Sequence, residues 1–252
     1  MTNTTARKFA IAIVALTALL VVGLGVARML RETKAHVELE ADRYPIRGLD
    51  LSAHNGVPDF NSIAAAGYSF VYLKASEGTS YRDPAFVRNY VAARRAGLAV
   101  GAYHFFRFEC DGPGQAENFL GATASCDLQL PAAIDIEEWR NPIDNGTEII
   151  SERLDGMITM LDVFYGPSII YTNKNGDARF VRNHLDDRDL WICSFTDPPL
   201  RRRPWTLWQH SHIGKVPGVA GNVDLDVFNG DRDQWAELLR SFENTIKKAP
   251  RR

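Results

Sequence analysis

The sequence predicts an α/β fold: a modified TIM-like (β/α) barrel of eight strands with fewer than eight helices, preceded by an N-terminal transmembrane helix. Three observations lead to this prediction. Eight short apolar runs follow one another between residues 46 and 228, helical patterns separate the early runs, and one long uncharged segment lies near the start. With 252 residues, 45% of them hydrophobic, the chain has enough apolar material for a large core.

The first element is the uncharged segment 9–26, which is dominated by Ala, Val, Leu and Ile and has basic residues on both sides. A helix of about 20 residues rises roughly 30 Å, the thickness of a membrane's hydrocarbon core. A cleaved signal peptide, with residues 25–27 as a small-x-small site, is the alternative. We therefore predict a membrane anchor or signal segment over 1–30 and a connector over 31–44.

The barrel is predicted over residues 45–241 and is followed by a basic tail over 242–252. Its eight strands are predicted at 46–52, 68–75, 98–105, 130–137, 167–172, 189–195, 204–210 and 222–228, with helical patterns at 59–67, 83–97, 114–124 and 151–165. After residue 185 the strands leave little room for helices, so the end of the barrel should be irregular. An open doubly wound sheet is the alternative, but no G-x-G-x-x-G motif follows the first strand.

Charge and cysteines limit the partners and the compartment. The formal net charge of -2 gives no pull toward nucleic acid, and the basic cluster Arg201–Arg203 and the basic tail are predicted to be solvated surface. Cys110 and Cys126 bracket a stretch that resembles a loop, and an oxidising compartment would favour a disulfide between them, although their spacing alone leaves the pairing open. Cys193, in the apolar run LWICSF, is predicted to be a buried free thiol.

An acidic pair lies inside the fourth predicted strand, in the run PAAIDIEEW. Alternate residues of a strand share a face, so Asp135 and Glu137 point to one side, with Cα atoms about 6.5 to 7 Å apart, while Ile134 and Ile136 point to the other. We expect the isoleucines to face the helices and the acids to face the barrel interior. They lie at the carboxyl end of the strand, where barrels of this kind build active sites.

Further acids end the first strand and occupy the last one. Asp50 lies in GLDLS, and Asp224 and Asp226 lie in VDLDVF, so acids from three strands are predicted to converge on one mouth. Burial and mutual repulsion would raise the pKa of at least one of them, which suits protonation of a glycosidic oxygen. A helix or turn cap is the alternative for Asp50, and a Mg²⁺ or Ca²⁺ site is an alternative for the cluster. No spacing typical of zinc ligands and no GxSxG motif is present.

Nine fragments together carry a family resemblance over residues 46 to 230. They are RGLDLSAHNG, FVYLKASEGTSYRDPAF, AGLAVGAYHFF, QAENFL, LPAAIDIEEW, IIYTN, LWICSF, WTLWQHS and GNVDLDVFNG. In this order they resemble glycoside hydrolase family 25, the N-acetylmuramidase lysozymes. The resemblance implies a modified β/α barrel that hydrolyses the β-1,4 bond between N-acetylmuramic acid and N-acetylglucosamine in peptidoglycan.

The resemblance also implies roles for particular residues. Glu137 matches the family's catalytic acid and Asp135 its partner, while Asp50 and Asp224 match acids that line the same site. The substrate-binding aromatic walls are predicted at Tyr103, Tyr171 and Trp191, and aromatic side chains suit sugar rings. Three positions depart from residues common in the family: Asn55 in place of Gln, His210 in place of Tyr, and Asp226 in place of Asn.

The expected reaction is retaining hydrolysis without a cofactor or metal, and the family resemblance implies that the substrate's own acetamido group attacks the anomeric carbon. Attack by an enzyme carboxylate is the alternative, which would need carboxyl groups about 5 to 5.5 Å apart. Two further functions remain open: a tethered peptidoglycan-binding protein without turnover, and a hydrolase of chitin-like glycans. We expect a monomer whose partners are peptidoglycan strands and, through the N-terminal helix, the cell membrane. Its catalytic domain should lie on the cell-wall side, or be secreted if the segment is cleaved.

Overall fold

The computed structural model describes residues 13–24, 36–39, 42–195 and 204–249. The chain divides into two compact units, Met1–Ala35 and His36–Arg252. In the first unit residues 13–24 are helical, and the outer parts of the predicted span 9–26 lie outside the described residues. No helix within the described ranges is long and apolar enough to cross a membrane. The predicted surface cluster Arg201–Arg203 also falls outside those ranges.

The second unit contains a closed barrel, which confirms the predicted architecture. Its strands are β1 (Arg47–Leu51), β2 (Phe70–Glu77), β3 (Tyr81–Arg82), β4 (Ala99–Phe105), β5 (Ala133–Ile136), β6 (Ile169–Asn173), β7 (Leu190–Cys193), β8 (Leu207–Gly214) and β9 (Val223–Phe228). The sheet order is β1-β9-β8-β7-β6-β5-β4-β2-β3, and a further pairing of β1 with β2 closes it. Strand β3 is a short antiparallel arm on β2, so the other eight strands form the barrel wall.

Fewer than eight helices of the described chain pack around the barrel, as predicted. They are α1 (Phe60–Ala65), α2 (Phe86–Arg95), α3 (Gly112–Thr123), α4 (Thr147–Tyr165) and α5 (Arg232–Lys248), with a short helical turn over Lys174–Gly176 and a π-helical turn over Asp177–Val181. Strands β8 and β9 form an antiparallel pair, and β9 is also antiparallel to β1. The end of the barrel is therefore irregular, because β9 runs against the other strands of the wall.

Period-two alternation separates two apolar layers. Ile134 and Ile136 are fully buried in the layer between the barrel and the helices, as the sequence predicted. A second layer fills the barrel interior with large side chains such as Phe70, Tyr72 and Trp191. The bottom of this interior is closed by Trp235 of α5, whose ring centroid lies 5.2 Å from that of Phe70.

Glycine makes room for this aromatic filling. A Cβ on Gly101 would lie 2.3 Å from the ring of Tyr72, and one on Gly48 would lie 2.2 Å from the ring of Phe70. Both distances are far below van der Waals contact, so a larger residue at either position would displace an interior ring. The two glycines thus allow aromatic side chains to form the floor on which the site rests.

The predicted disulfide is wrong: no disulfide joins Cys110 and Cys126. The stretch between them is the helix α3 rather than a loop, with Cys110 before its start and Cys126 after its end. A helix of 12 residues rises about 18 Å, whereas the Cα atoms of a disulfide lie within about 7 Å. Cys193 is a free thiol that is only partly buried, because it lies in the wall of a cavity.

The two ends of the barrel unit, which were predicted to be a connector and a basic tail, both contain residues that pack on the barrel. Residues 36–37 pair with β8 through a bridge from His36 to Ser211 and a hydrogen bond of 2.8 Å from Val37 N to His210 O. At the other end, α5 runs through the predicted boundary at residue 241, and Phe242 is buried in the outer apolar layer. Parts of both predicted flanking segments therefore pack on the barrel.

Candidate active site

A cavity of about 830 Å³ opens at the carboxyl ends of the parallel strands. Its lining includes every residue for which the sequence predicted a site role: Asp50, Tyr103, Asp135, Glu137, Tyr171, Trp191 and Asp224. Strand β9 is antiparallel to β1, so β9 reaches this mouth with its beginning rather than its end, and Asp224 lies opposite Asp50 in the register. The fold brings all seven residues together, while their roles remain predictions.

The paired acids come from β5 as the alternation predicted. Asp135 is 7% exposed, and its backbone oxygen accepts a hydrogen bond of 2.9 Å from Phe106 N. Its side-chain Oδ1 has no hydrogen-bond partner among the described residues. Glu137 follows directly after the strand and also faces the cavity. A buried carboxyl oxygen without a protein partner is available to a bound substrate.

A chain of hydrogen bonds fixes Asp50. Gln209 of β8 donates from Nε2 to Asp50 Oδ2 at 2.7 Å, and Tyr171 donates from its hydroxyl group to Gln209 Oε1 at 2.8 Å. Gln209 therefore connects Tyr171 on β6 with Asp50 on the opposite side of the barrel through two hydrogen bonds. Gln209 was not among the predicted site residues, although it lies in the family-like fragment WTLWQHS.

Asp226 occupies a position deeper than the predicted acids. It is 1% exposed, its Oδ1 accepts a hydrogen bond of 2.8 Å from Trp191 Nε1, and its Oδ2 has no partner in the described chain. Trp191 in turn packs edge-on against Tyr171, with ring centroids 4.9 Å apart. The carboxyl group of Asp226 thus holds the indole ring that forms the floor of the cavity.

Burial shifts the pKa of the acidic pair upward. Burial raises the pKa of Glu137 to about 7, and the ammonium group of Lys74 opposes this rise. The pKa of Asp135 is raised well above its ordinary value, first by burial and then by the neighbouring charge of Glu137. Since two like charges oppose each other's ionisation, the pair retains a proton near neutral pH.

The pKa values of Asp50 and Asp224, on the opposite wall of the cavity, are also raised. Burial and the charge of Asp50 raise the pKa of Asp224 to about 8. Burial and then the charge of Asp226 raise the pKa of Asp50 well above its ordinary value, while the hydrogen bond from Gln209 lowers it. The cavity therefore holds several carboxyl groups that favour the neutral form.

Lys74 places a positive charge near Asp135 and Glu137, and it was not among the predicted site residues. It lines the cavity, its Nζ lies 2.7 Å from Glu77 Oε2, and its ammonium group lies 5.1 Å from the ring centroid of Phe105. This position lowers the pKa of both Asp135 and Glu137 relative to burial alone. A lysine at an inward-facing position of a strand, in VYLKASEG, is the signal that would have identified it.

Within the parts of the chain that the structure describes, no group of three or more His, Cys, Asp or Glu side chains is arranged to hold a metal ion. Asp50 in the cavity lining and Asp226 beneath it accept hydrogen bonds from neutral donors, Gln209 and Trp191. The arrangement supplies proton donors and acceptors beside an aromatic surface, which is the chemistry needed to protonate a leaving oxygen.

A closed β/α barrel with an acid-lined cavity at its mouth is typical of glycoside hydrolases. Sequence similarity to known proteins identifies the family. The model of glycosyl hydrolases family 25 matches residues 49–219, more than half of the chain. Lysozyme M1 of Streptomyces globisporus is 34% identical over 224 residues, covering 81% of this chain and 74% of that protein. The chain belongs to glycosyl hydrolase family 25.

Solved structures agree with this assignment. A family 25 glycosyl hydrolase from Bacillus anthracis superposes with a TM-score of 0.74 at 32% identity, covering 81% of this chain and 97% of that one. A bacterial lysozyme from Streptomyces coelicolor gives a TM-score of 0.69 at 31% identity, covering 79% and 98%. The sequence-based family assignment is therefore confirmed.

The buried acid Asp226 generates a prediction about stability and pH. Because burial raises its pKa above the unfolded value, ionisation opposes folding, and stability is lost as pH rises from about 4 toward the folded pKa. The variant Asp226→Asn keeps an acceptor for Trp191 and cannot ionise. At pH 8 we expect its thermal midpoint to exceed that of the unaltered protein by at least about 2 °C, or about 1 kcal/mol.

The measurement is a thermal unfolding series from pH 4 to pH 8, in which the two midpoints should converge toward pH 4. Asp187→Asn is the matched control, because the side chain of Asp187 is 79% exposed. Parallel curves for the protein and the Asp226→Asn variant over the whole range would contradict the prediction.

Proposed function

We propose that this chain is a lysozyme that hydrolyses the β-1,4 bond between N-acetylmuramic acid and N-acetylglucosamine in peptidoglycan. The observation that carries the proposal is Glu137, a cavity acid whose burial raises its pKa to about 7. A carboxylic acid that is protonated near neutral pH can donate its proton to the glycosidic oxygen. Family membership, and the names of relatives such as Lysozyme M1, support peptidoglycan as the substrate.

In the proposed mechanism Glu137 first acts as the general acid. It protonates the oxygen of the leaving sugar, and the C1–O bond breaks as positive charge develops on the anomeric carbon. The mechanism requires a reactive state in which the coupled pair holds a single proton on Glu137, so that Asp135 is ionised. Its negative charge, in a site shielded from water, stabilises the developing positive charge.

The substrate's 2-acetamido group is proposed to attack the anomeric carbon and form a cyclic intermediate. Asp135 would accept a hydrogen bond from the acetamido N–H, and its Oδ1 lacks a protein partner among the described residues. Glu137 then takes a proton from water, and the water oxygen attacks the anomeric carbon and opens the intermediate. The two substitutions each invert this carbon, so the overall configuration is retained. Asp50, Asp224, Tyr103, Tyr171 and Trp191 form the walls that hold the sugar.

The apolar N-terminal segment supports a proposal about location. An uncharged run over 9–26 between basic residues would direct the barrel across the cell membrane, either as an anchor or as a cleaved signal. We propose that the barrel acts as a monomer on the cell-wall side, where its substrate lies.

The role of Glu137 is tested by a pair of substitutions on adjacent acids. Glu137→Gln removes the proton donor but keeps the size of the side chain, so we expect hydrolysis of purified peptidoglycan to fall at least 100-fold. Glu138→Gln is the matched control, because the Glu138 carboxylate faces Arg179 at 3.4 Å and does not line the cavity.

The assay is the release of reducing ends from purified peptidoglycan, with folding checked by circular dichroism. We expect the Glu138→Gln variant to remain within about twofold of the unaltered protein. A folded Glu137→Gln variant that keeps one tenth of the activity would refute the assigned role.

The position of cleavage is tested by the products. A muramidase leaves N-acetylmuramic acid at each new reducing end, so reduction with borohydride followed by mass spectrometry should yield muropeptides ending in N-acetylmuramitol. Products ending in N-acetylglucosaminitol would contradict the proposed bond specificity, and sacculus binding without any product would indicate a binding protein.

A further inference from the structure

One aromatic side chain of the cavity is left in solvent. Trp139 is 64% exposed and lies on the cavity rim, whereas Trp191 of the same cavity is 2% exposed. Trp208 and Trp235 are also buried in the apolar layers. Leaving an indole ring in water forgoes the large gain from its burial, so its position calls for an explanation. The predicted site did not include Trp139, although it is the last residue of PAAIDIEEW.

The backbone that carries Trp139 is firmly held. Asn141 is 1% exposed, and its Nδ2 donates to Glu137 O at 3.0 Å and to Phe106 O at 2.7 Å. Its Oδ1 accepts a hydrogen bond of 2.9 Å from Phe108 N. The bonds with Phe106 and Phe108 fasten the segment after β5 to the segment after β4, and the bond to Glu137 closes the turn that contains Trp139. Trp139 is therefore presented by a fixed turn and does not depend on substrate to order it.

The next residue adds a second restraint. Arg140 has a φ of 51°, in the left-handed region that side chains other than glycine rarely adopt. Its backbone oxygen accepts a hydrogen bond of 2.7 Å from Arg107 Nη1, and Arg107 is itself paired with Glu109 at 2.9 Å. Such a conformation persists only where its surroundings fix it, and it occurs often at functional sites.

The side chain of Arg140 also contacts the indole ring. The Arg140 guanidinium group lies over the Trp139 ring, 4.8 Å from its centroid. A cation against one ring face is an attractive contact, and it restricts rotation of the side chain. The large exposed area of Trp139 leaves the rest of the ring open to a ligand. The result is a flat apolar surface that lines the same cavity as the candidate proton donor Glu137.

The depth of the acids indicates which sugar would meet this surface. Asp135 is 7% exposed and lies deeper than Glu137, so the sugar that carries the attacked carbon occupies the interior of the cavity. In the proposed mechanism Glu137 protonates the oxygen that links this sugar to the leaving sugar, which would then lie nearer the rim. Trp139, two residues after Glu137, lines the same cavity and is 64% exposed, so it is more exposed than either acid.

We propose that Trp139 is a stacking platform for the N-acetylhexosamine ring on the leaving-group side of the cleaved bond. This inference rests on the proposed lysozyme function, and it assigns a substrate-positioning role to Trp139. The apolar C–H face of a pyranose ring packs against an aromatic face, while its hydroxyl groups remain in water at the rim. A platform of this kind favours glycans of four or more sugars over disaccharides, because only the longer glycans fill both sides of the bond.

The test uses the Glu137→Gln variant, in which the substrate is bound but not cleaved. The tetrasaccharide (GlcNAc–MurNAc)₂ is titrated while tryptophan fluorescence is recorded, and isothermal calorimetry gives the Kd. An exposed tryptophan should lose its long-wavelength emission when a sugar covers it. We expect Trp139→Ala in this background to abolish the spectral change and raise the Kd at least tenfold, and Trp139→Phe to keep the Kd within threefold.

Trp205→Phe is the matched control, because it removes a different tryptophan that lies against Trp208 in the apolar layer, so the spectral change should persist. A Trp139→Ala variant that binds the tetrasaccharide within twofold of its parent would overturn the inference, while hydrolysis of peptidoglycan by the unaltered protein would leave the proposed function standing. If the unaltered protein neither binds the tetrasaccharide nor hydrolyses peptidoglycan, the function fails and the inference fails with it.

Discussion

The burial of several carboxyl groups in one barrel mouth is the constraint on which the rest of the structure depends. Removing a carboxylate from water disfavours its charged form, so the protein must either leave a proton on the group or supply compensating partners. Both solutions are present. Gln209 and Trp191 donate hydrogen bonds to Asp50 and Asp226, and Lys74 lowers the pKa of the acidic pair. These partners are unequal, but burial raises the pKa of Asp50, Asp135, Glu137, Asp224 and Asp226 alike, so the mouth holds carboxyl groups that favour the protonated form.

The barrel makes this burial possible by separating its two faces. The isoleucines of β5 pack against the helical layer, and the acids at the alternate positions line the cavity at the mouth. Beneath them, aromatic rings that fit only because Gly48 and Gly101 lack side chains fill the interior. Trp191 links the two levels, since it packs in this filling and donates to Asp226. The acids thus rest on a packed floor that excludes water and holds their geometry.

Local pattern was sufficient to predict the eight strands and the convergence of Asp50, Asp135, Glu137 and Asp224, because period-two alternation is a property of neighbouring residues. Features that depend on contacts across the barrel were not accessible in this way. Gln209 is a partner of Asp50 only because the antiparallel β9 closes the sheet between β8 and β1. The stretch between Cys110 and Cys126 contains glycine and proline but forms a helix, so the predicted disulfide failed. Trp139 was passed over because an exposed aromatic residue has no periodic signature.

The most direct test of this account is the titration of the Glu137 carboxyl group itself. Carbon-13 NMR of protein labelled at glutamate side chains gives its midpoint, and the signal is assigned by its disappearance in the Glu137→Gln variant. We predict a midpoint near pH 7, raised from an ordinary value of 4.5 by burial. A midpoint near 4.5 in a folded protein that hydrolyses peptidoglycan would contradict the claim that burial keeps this acid protonated for catalysis.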